Sequence, residues 1–251
     1  LWSYQINEDI FQRKVVLPAG KNHGMVMLVD WSGSMSRNLY NTVKQTLTMA
    51  VFCRRIGIPF DVFTFNKNGG CTKTDGILTD EERMDILNSF DEDSIIPDFS
   101  TRIRNVLSNR MNAQEFKNAA NNWLRVAKII DGGWGYSNLT YDELSMTPLN
   151  DSIILVDQYI TKFKSVNKIE KVNLVVLTDG DDDGSCNQVK YCARTGHKYT
   201  TSSLRNHLWR HRIQIIRDKT CNKIFTHQNE LFTTQLIAHM REKHNMNAIG
   251  F

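Results

Sequence analysis

The chain has 251 residues, 41% of them hydrophobic, which is enough to bury a substantial core as one α/β domain. Lys and Arg number 31 against 27 Asp and Glu, and this small excess, spread along the chain, disfavours a nucleic-acid-binding protein. No apolar stretch approaches the roughly 20 residues that a membrane helix needs, and residues 1–10 do not resemble a signal peptide. Five scattered cysteines suit reduced thiols better than a disulfide framework, so we expect a cytoplasmic globular protein.

The first third of the chain begins with a strand followed by a helix. Residues 24–30, GMVMLVD, form an apolar run typical of a strand that is buried on both faces. Residues 36–57 place apolar side chains at helical spacing, and residues 59–66 are aromatic and β-branched, which predicts a second strand. The next segment is mixed in composition, with an acidic helical stretch near 79–90 and a short apolar run at 94–99.

The middle of the chain predicts two helices separated by a glycine-rich loop. The first covers residues 113–130, and the second covers residues 147–165, the most regular helical pattern in the chain. We expect Thr147 to be the N-cap of the second helix and Pro148 its first helical residue. Asp151 would then lie in the first turn, where the helix dipole stabilises a carboxylate.

The last third of the chain returns to strands. Residues 171–180 predict another buried strand that ends, like the first, in an acidic loop. A polar insertion follows, then a hairpin over 212–225, a helix over 228–243 and an apolar run at 247–251 that resembles a strand cut short. This order of elements predicts an α/β fold with a central, mostly parallel sheet and helices on both faces.

Polar side chains follow two of the predicted buried strands. Asp30 and Asp179 end these strands, and Ser32 and Ser34 lie in the loop after the first one. Thr147 precedes a helix that can reach the same edge. Because the carboxyl ends of parallel strands meet at one edge of a sheet, we expect these five oxygen donors to lie close together.

Two carboxylates and three hydroxyls suit a hard cation such as Mg²⁺, with Mn²⁺ and Ca²⁺ as alternatives. Zinc is disfavoured at these positions because it prefers nitrogen and sulfur ligands. Two acids only balance the charge of a divalent ion, and neutral hydroxyls leave that ion able to bind a further anion. We therefore expect the ion to accept a carboxylate from a second protein.

These motifs resemble those of the von Willebrand factor A (VWA) domain. DWSGSM resembles the Asp-x-Ser-x-Ser signature of that family, MTPLND its threonine motif and LTDGD its Thr-Asp-Gly motif, and the three come in the family's order. The resemblance implies a Rossmann-like VWA fold with a metal-ion-dependent adhesion site (MIDAS). The matched positions are Asp30, Ser32, Ser34, Thr147 and Asp179.

Within that family, the sequences LVDWSGSM and TPLND are similar to the motifs of the intracellular, CobT-like branch, which comprises cobaltochelatase subunits and their relatives in bacteria and large tailed phages. The resemblance implies a non-enzymatic subunit that works with a MoxR-type AAA+ ATPase. Residues 1–21 are then an N-terminal extension, and residues 22–251 a VWA domain truncated in its last strand. Residues 181–211 form an insertion within that domain.

Two other functions are alternatives to this one. Phosphotransferases of the haloacid dehalogenase type also place a strand-terminal Asp beside Mg²⁺, but they need a second acid two residues later, where this chain has Ser32. An RNA-binding VWA protein would need a larger basic surface than the cluster around Trp209 provides. That cluster comprises Arg205, Arg210, His211 and Arg212.

Three further features have both a structural and a functional interpretation. The insertion contains two cysteines and two histidines that could bind zinc, namely Cys186, Cys192, His207 and His211. Their spacing matches no zinc motif, so we interpret them as surface histidines and reduced thiols. Asp181, Asp182 and Asp183 are interpreted as a solvated loop, with a weaker hypothesis that they add negative potential around the metal. Trp31 has no explanation at the level of sequence.

Overall fold

The computed structural model describes most of the chain. The described residues are 23–67, 79–133, 144–180, 182, 186–201, 214–221, 223–227 and 232–250. The predicted extension at residues 1–21 lies outside them, and nothing in the structure tests the predicted domain boundaries.

Helices and strands alternate along these residues. The helices are α1 (Leu39–Ile56), α2 (Asp80–Ser89), α3 (Ala113–Asp131), α4 (Leu149–Asn167) and α5 (Phe232–His244), with a short 3-10 helix at Ser34–Arg37. The strands are β1 (His23–Asp30), β2 (Phe60–Lys67), β3 (Ile95–Ile96), β4 (Thr101–Ser108), β5 (Lys171–Leu177), β6 (Asn187–Cys192), β7 (His197–Thr201), β8 (Gln214–Asp218), β9 (Lys223–His227) and β10 (Asn247–Gly250).

Five strands form the central sheet, in the order β10-β5-β1-β2-β4. Strand β1 pairs in parallel with β2 on one side and β5 on the other, β10 is parallel to β5, and β4 is antiparallel to β2. The predicted α/β class with a mostly parallel sheet is confirmed. The chain turns back across the sheet between β1 and β5, which makes the ends of these two strands a topological switch point.

Strand β1 separates two hydrophobic cores, one on each face of the sheet. Val26 and Leu28 pack with residues of α4 and α5, whereas Met27 and Val29 pack with residues of α1 and α3. Because side chains alternate along a strand, burial of both faces requires the unbroken apolar run that the sequence has here. Helices therefore cover both faces, as predicted.

Two of the less regular segments contain strands that the sequence did not predict. Strand β4 was not predicted, and it forms one edge of the central sheet with a half-exposed, arginine-rich sequence. The polar insertion contains β6 and β7, which pair with each other and with β3 in a second, three-stranded sheet. The hairpin predicted over 212–225 is confirmed as β8 and β9.

The start of α4 also differs from the prediction. Pro148, rather than Thr147, is the N-cap residue, and no side-chain hydrogen bond caps it. Asp151 is fully buried, and its carboxylate accepts hydrogen bonds from the backbone amides of Asp98 and Cys186 and from the Thr101 hydroxyl. Asp151 therefore ties two distant segments to α4 in addition to lying in its first turn. In the described part of the chain, every helix is too short or too polar to cross a membrane.

Candidate metal centre

Three of the five predicted ligands are connected by hydrogen bonds at the edge of the sheet. The hydroxyl oxygens of Ser32 and Ser34 lie 3.0 Å apart, and the Ser34 hydroxyl donates to Asp179 Oδ1 at 2.7 Å. Ser32 is buried, whereas Ser34 and Asp179 are exposed. The group therefore extends from the interior of the protein to its surface.

Asp30 is the fully buried carboxylate of the set. Its Oδ2 accepts a hydrogen bond from the Thr178 hydroxyl at 2.7 Å, whereas no described residue donates a hydrogen bond to its buried Oδ1. Burial raises the pKa of Asp30, and the negative charge of Asp179 raises it further. The Thr178 hydroxyl and the nearby hydroxyl and backbone amide of Ser32 lower this pKa in part, because they favour the charged carboxylate. Ser32 lies beside this carboxyl group but outside hydrogen-bonding geometry to Oδ1. Burying a carboxyl oxygen without a hydrogen bond is costly, and a cation bound next to Oδ1 would offset that cost.

The segment before Thr147 contacts the serine loop through Ser145. The Gly33 amide donates to the Ser145 carbonyl at 2.9 Å, and Ser32 forms an isolated parallel bridge with Ser145. Thr147 follows two residues later and is 4% exposed. The structure therefore places Asp30, Ser32, Ser34 and Asp179 at the edge at which β1 and β5 end, and it places the segment that leads to Thr147 beside the serine loop.

The chemistry of this group fits a hard divalent cation. Every predicted ligand offers oxygen, two of the five are carboxylates, and the buried Asp30 Oδ1 lacks a hydrogen-bond donor among the described residues. Mg²⁺ prefers such oxygen ligands and usually retains several waters, so the five side chains need not fill its coordination shell. The exposed side of the group lies at Ser34 and Asp179.

Two features near the site were not predicted. Thr178 orients Asp30, and the only sequence signal for it was its place beside Asp179 in the LTDGD motif. Trp31 is 1% exposed and stacks on Trp123 of α3, with ring centroids 6.2 Å apart. Its backbone amide donates to the Phe65 carbonyl at 2.9 Å, so Trp31 anchors the serine loop to the core.

The acidic loop after β5 lies partly within the described residues. Asp182 is half-buried, and its Oδ1 accepts a hydrogen bond from the backbone amide of Asn150 at 3.0 Å. It thereby satisfies one of the free amides in the first turn of α4. Asp181 and Asp183 lie outside the described residues, so the hypothesis of added negative potential is not tested.

A small cleft with both polar and apolar side chains in its lining adjoins Asp179. It has a volume of about 290 Å³, and its lining includes Asn38, Asn41 and Gln45 near the start of α1 together with Thr178 and Asp179. These amide and hydroxyl groups are uncharged hydrogen-bonding partners for a polar ligand.

The disfavoured zinc set of the insertion does not converge in its described part. Cys186 precedes β6 and Cys192 ends it, and a strand of this length separates them by about 20 Å, too far for one ion. Burial, together with the nearby Asp151 carboxylate, raises the pKa of Cys186 and keeps it a thiol. His207 and His211 lie outside the described residues, as does the basic cluster around Trp209.

Comparison with known proteins does not identify a family. No protein family and no curated protein matches the sequence. Among solved structures, the chain is similar to the open conformation of the pilus adhesin SpaC from Lactobacillus rhamnosus GG, with 12% sequence identity and a TM-score of 0.44. The similarity covers 91% of this chain and 24% of that chain, so the chain spans about a quarter of the adhesin's length. A similarity this weak carries no argument about function.

Proposed function

We propose that the protein is a VWA-type interaction module that binds a divalent cation, chiefly Mg²⁺, at Asp30, Ser32, Ser34, Thr147 and Asp179. The observation that supports this most strongly is the buried Asp30, whose Oδ1 has no hydrogen-bond donor among the described residues, beside two serine hydroxyls at a topological switch point. The proposal also rests on the resemblance of three sequence motifs to the MIDAS motifs.

The five proposed ligands differ in charge and exposure, and so in what they contribute to the site. Asp30 and Asp179 supply negative charge, and the hydroxyls of Ser32, Ser34 and Thr147 supply neutral oxygen. The cation, when bound, supplies an electrophilic point for a carboxylate of a partner protein. Ser34 and Asp179 are exposed and lie where that carboxylate would approach. The side chains of Asn38, Asn41 and Gln45 in the cleft beside Asp179 can donate hydrogen bonds to neighbouring residues of the partner.

The partner we propose is a MoxR-type AAA+ ATPase, as the resemblance to the CobT-like branch implies, and the protein itself is not an enzyme. The residue two positions after Asp30 is Ser32, whose hydroxyl is far too weak an acid to replace the carboxyl group that acts as general acid and base in those enzymes. No specific observation favours the phosphotransferase or the RNA-binding alternative.

The first test measures cation binding directly. Titration of purified protein with Mg²⁺ or Mn²⁺ should raise the melting temperature of the wild type, because ligands that bind only the folded state stabilise it. Asp30→Ala should abolish this increase. Asp80→Ala, which removes a fully exposed carboxylate at the start of α2, should leave it unchanged.

The second test measures partner binding. A MoxR-type ATPase from the same genome should be retained by the immobilised wild type in Mg²⁺, and released by EDTA or by Asp30→Ala. If the protein bound the cation but no partner in a metal-dependent way, the proposed metal centre would be supported and the proposed adhesion role would be contradicted. Metal-dependent release of phosphate from a generic phosphate ester would instead support the phosphotransferase alternative.

A further inference from the structure

A second group of ligating side chains lies away from the switch point. Asp218 ends β8, Cys221 lies in the turn between β8 and β9, and His239 lies on α5. One ligand atom from each residue lies within 4.8 Å of the other two. Asp218 is partly buried, His239 is buried and Cys221 is exposed, so the group lies at the surface of the protein.

The geometry distinguishes a cation site from a nucleophilic triad. His239 Nε2 lies 2.7 Å from Asp218 Oδ2 and 3.7 Å from Cys221 Sγ, so both partners face the same ring nitrogen. In a triad, the histidine uses one ring nitrogen for the acid and the other for the nucleophile. Convergence of oxygen, nitrogen and sulfur on one point is what a metal ion requires.

The distance between Cys221 Sγ and His239 Nε2 is close to that expected in a tetrahedral zinc site. Bond lengths of about 2.3 Å to sulfur and 2.0 Å to nitrogen place these two ligand atoms about 3.5 Å apart, close to the observed 3.7 Å. The His239–Asp218 distance of 2.7 Å would lengthen by about 0.6 Å as their hydrogen bond is replaced by two bonds to the ion. The thiol proton and the shared proton would leave to solvent.

Neighbouring charges allow this exchange. Lys243 Nζ lies 3.1 Å from Asp218 Oδ2, but it lies closer, at 2.7 Å, to Asp157 Oδ2. The other carboxylate oxygen of Asp157, Oδ1, is within hydrogen-bond distance of His244 Nε2, at 2.7 Å. Lys243 therefore keeps an anionic partner when a cation takes over the carboxylate of Asp218.

We propose that Asp218, Cys221 and His239 bind Zn²⁺ or a similar thiophilic divalent cation, with a fourth position open to water or to an anionic ligand. Asp218 and His239 also line a cleft of about 1080 Å³ between α4, α5 and the second sheet. Three protein ligands with one open position are the arrangement of zinc sites that bind exchangeable ligands. This site is independent of the Mg²⁺ site, because it uses sulfur and nitrogen and lies on other elements.

The test uses the full chain, stripped of metal with EDTA and returned to excess Mg²⁺ to fill the other site. One equivalent of Co²⁺ should give the near-ultraviolet charge-transfer band of a Co²⁺–thiolate bond, and Zn²⁺ should displace it. Cys221→Ser should abolish the band and weaken Zn²⁺ binding by more than the roughly 10- to 100-fold that loss of an outer-shell partner costs. Because Cys221 is exposed, the serine variant should fold, which circular dichroism checks.

Two control variants make the assignment specific. Cys192→Ser changes a thiol in a different hairpin, and Asp30→Ala removes the Mg²⁺ site; both should keep the Co²⁺ band. His239→Gln should weaken Zn²⁺ binding as Cys221→Ser does. Absence of stoichiometric Zn²⁺ binding, or an unchanged Co²⁺ band in Cys221→Ser, would show that the three side chains form only a hydrogen-bonded network and would overturn the proposal.

Discussion

At the scale of single residues, the charges of the proposed Mg²⁺ ligands decide what the ion can do. Asp30 and Asp179 together balance a divalent cation, and the hydroxyls of Ser32 and Ser34, 3.0 Å apart, add no charge. A third carboxylate in the set would make the occupied centre net negative. It would then bind the cation more tightly and repel a carboxylate from a partner.

This reasoning predicts opposite effects of Ser34→Asp on two measurements. Ser34 is exposed, so the substitution should be tolerated by the fold. Mg²⁺ affinity, measured by titration calorimetry, should increase, whereas metal-dependent retention of the ATPase should decrease several-fold. Ser36→Asp, in the same 3-10 helix but outside the ligand set, should change neither. A parallel decrease of both quantities would instead indicate that the serine is needed for its hydroxyl geometry.

At the scale of elements, the packing of β1 against α4 depends on a glycine. Gly24 lies near the start of β1, where a Cβ atom would lie 2.3 Å from Ile169 Cδ1 and 2.6 Å from Phe163 Cε1. Phe163 is 2% exposed, so its ring has little room to move. Close approach of the helix to the strand is therefore possible only because residue 24 has no side chain.

Gly24→Ala should accordingly lower the free energy of unfolding by about 1–3 kcal/mol, the usual cost of overpacking a core. Urea denaturation of the variant and the wild type measures this difference. Gly250→Ala is the matched control, because Gly250 also lies in a strand and a Cβ atom there would have no neighbour within 4 Å. A Gly24 variant as stable as the control would mean that α4 can shift without cost.

The elements that the sequence predicts well are those with one strong pattern. Strands β1 and β5 are apolar runs, and α4 repeats apolar residues at helical spacing, so their existence follows from burial. Strand β4 is only partly buried, and β6 and β7 are polar, so their composition does not mark them as strands. They are strands because β4 pairs with β2, β6 with β3, and β7 with β6. Such pairing between distant segments leaves little trace in a local pattern.

The two candidate sites differ in the same way. The proposed Mg²⁺ ligands follow strand ends or precede a helix, where topology forces convergence, and three motifs mark them in sequence. The group of Asp218, Cys221 and His239 has no motif, because a hairpin and a helix meet there through tertiary packing. The role of Asp151 was likewise missed, since its partners at residues 98, 101 and 186 are far away in sequence.

At the scale of the whole molecule, an ion pair gives stability a specific dependence on pH. Asp98, between β3 and β4, lies 2.7 Å from Lys67 at the end of β2, and both side chains are mostly buried. Burial acts to raise the pKa of Asp98, but hydrogen bonds from Lys67 and Ser100 outweigh it and lower the pKa to about 2. A depressed pKa in the folded state stabilises the protein above the unfolded value near 4, and this contribution is lost as the pH falls through about 2.

Asp98→Asn should therefore be less stable than the wild type by about 1–2 kcal/mol at pH 6, after allowance for partial screening by solvent. The gap should close between about pH 4 and pH 2, as the wild-type carboxylate becomes protonated. Urea unfolding at several pH values measures it. Asp80→Asn, at a fully exposed position, should show a small gap without that trend. A gap that persists at pH 2 would assign the effect to lost hydrogen bonds instead of charge.

The parallel pairing of β1 with β5 determines when, during synthesis, the two halves of the proposed site can come together. Asp30 and Thr178 are 148 residues apart, and Ser34 and Asp179 are 145 apart, yet each pair is in direct contact. At a synthesis rate of about 5–20 residues per second, the second half of the proposed Mg²⁺ site leaves the ribosome roughly 7–30 seconds after the first. The serine loop therefore exists for that time without Asp179, and a partner that recognises the assembled centre would bind only chains in which β5 has already joined β1.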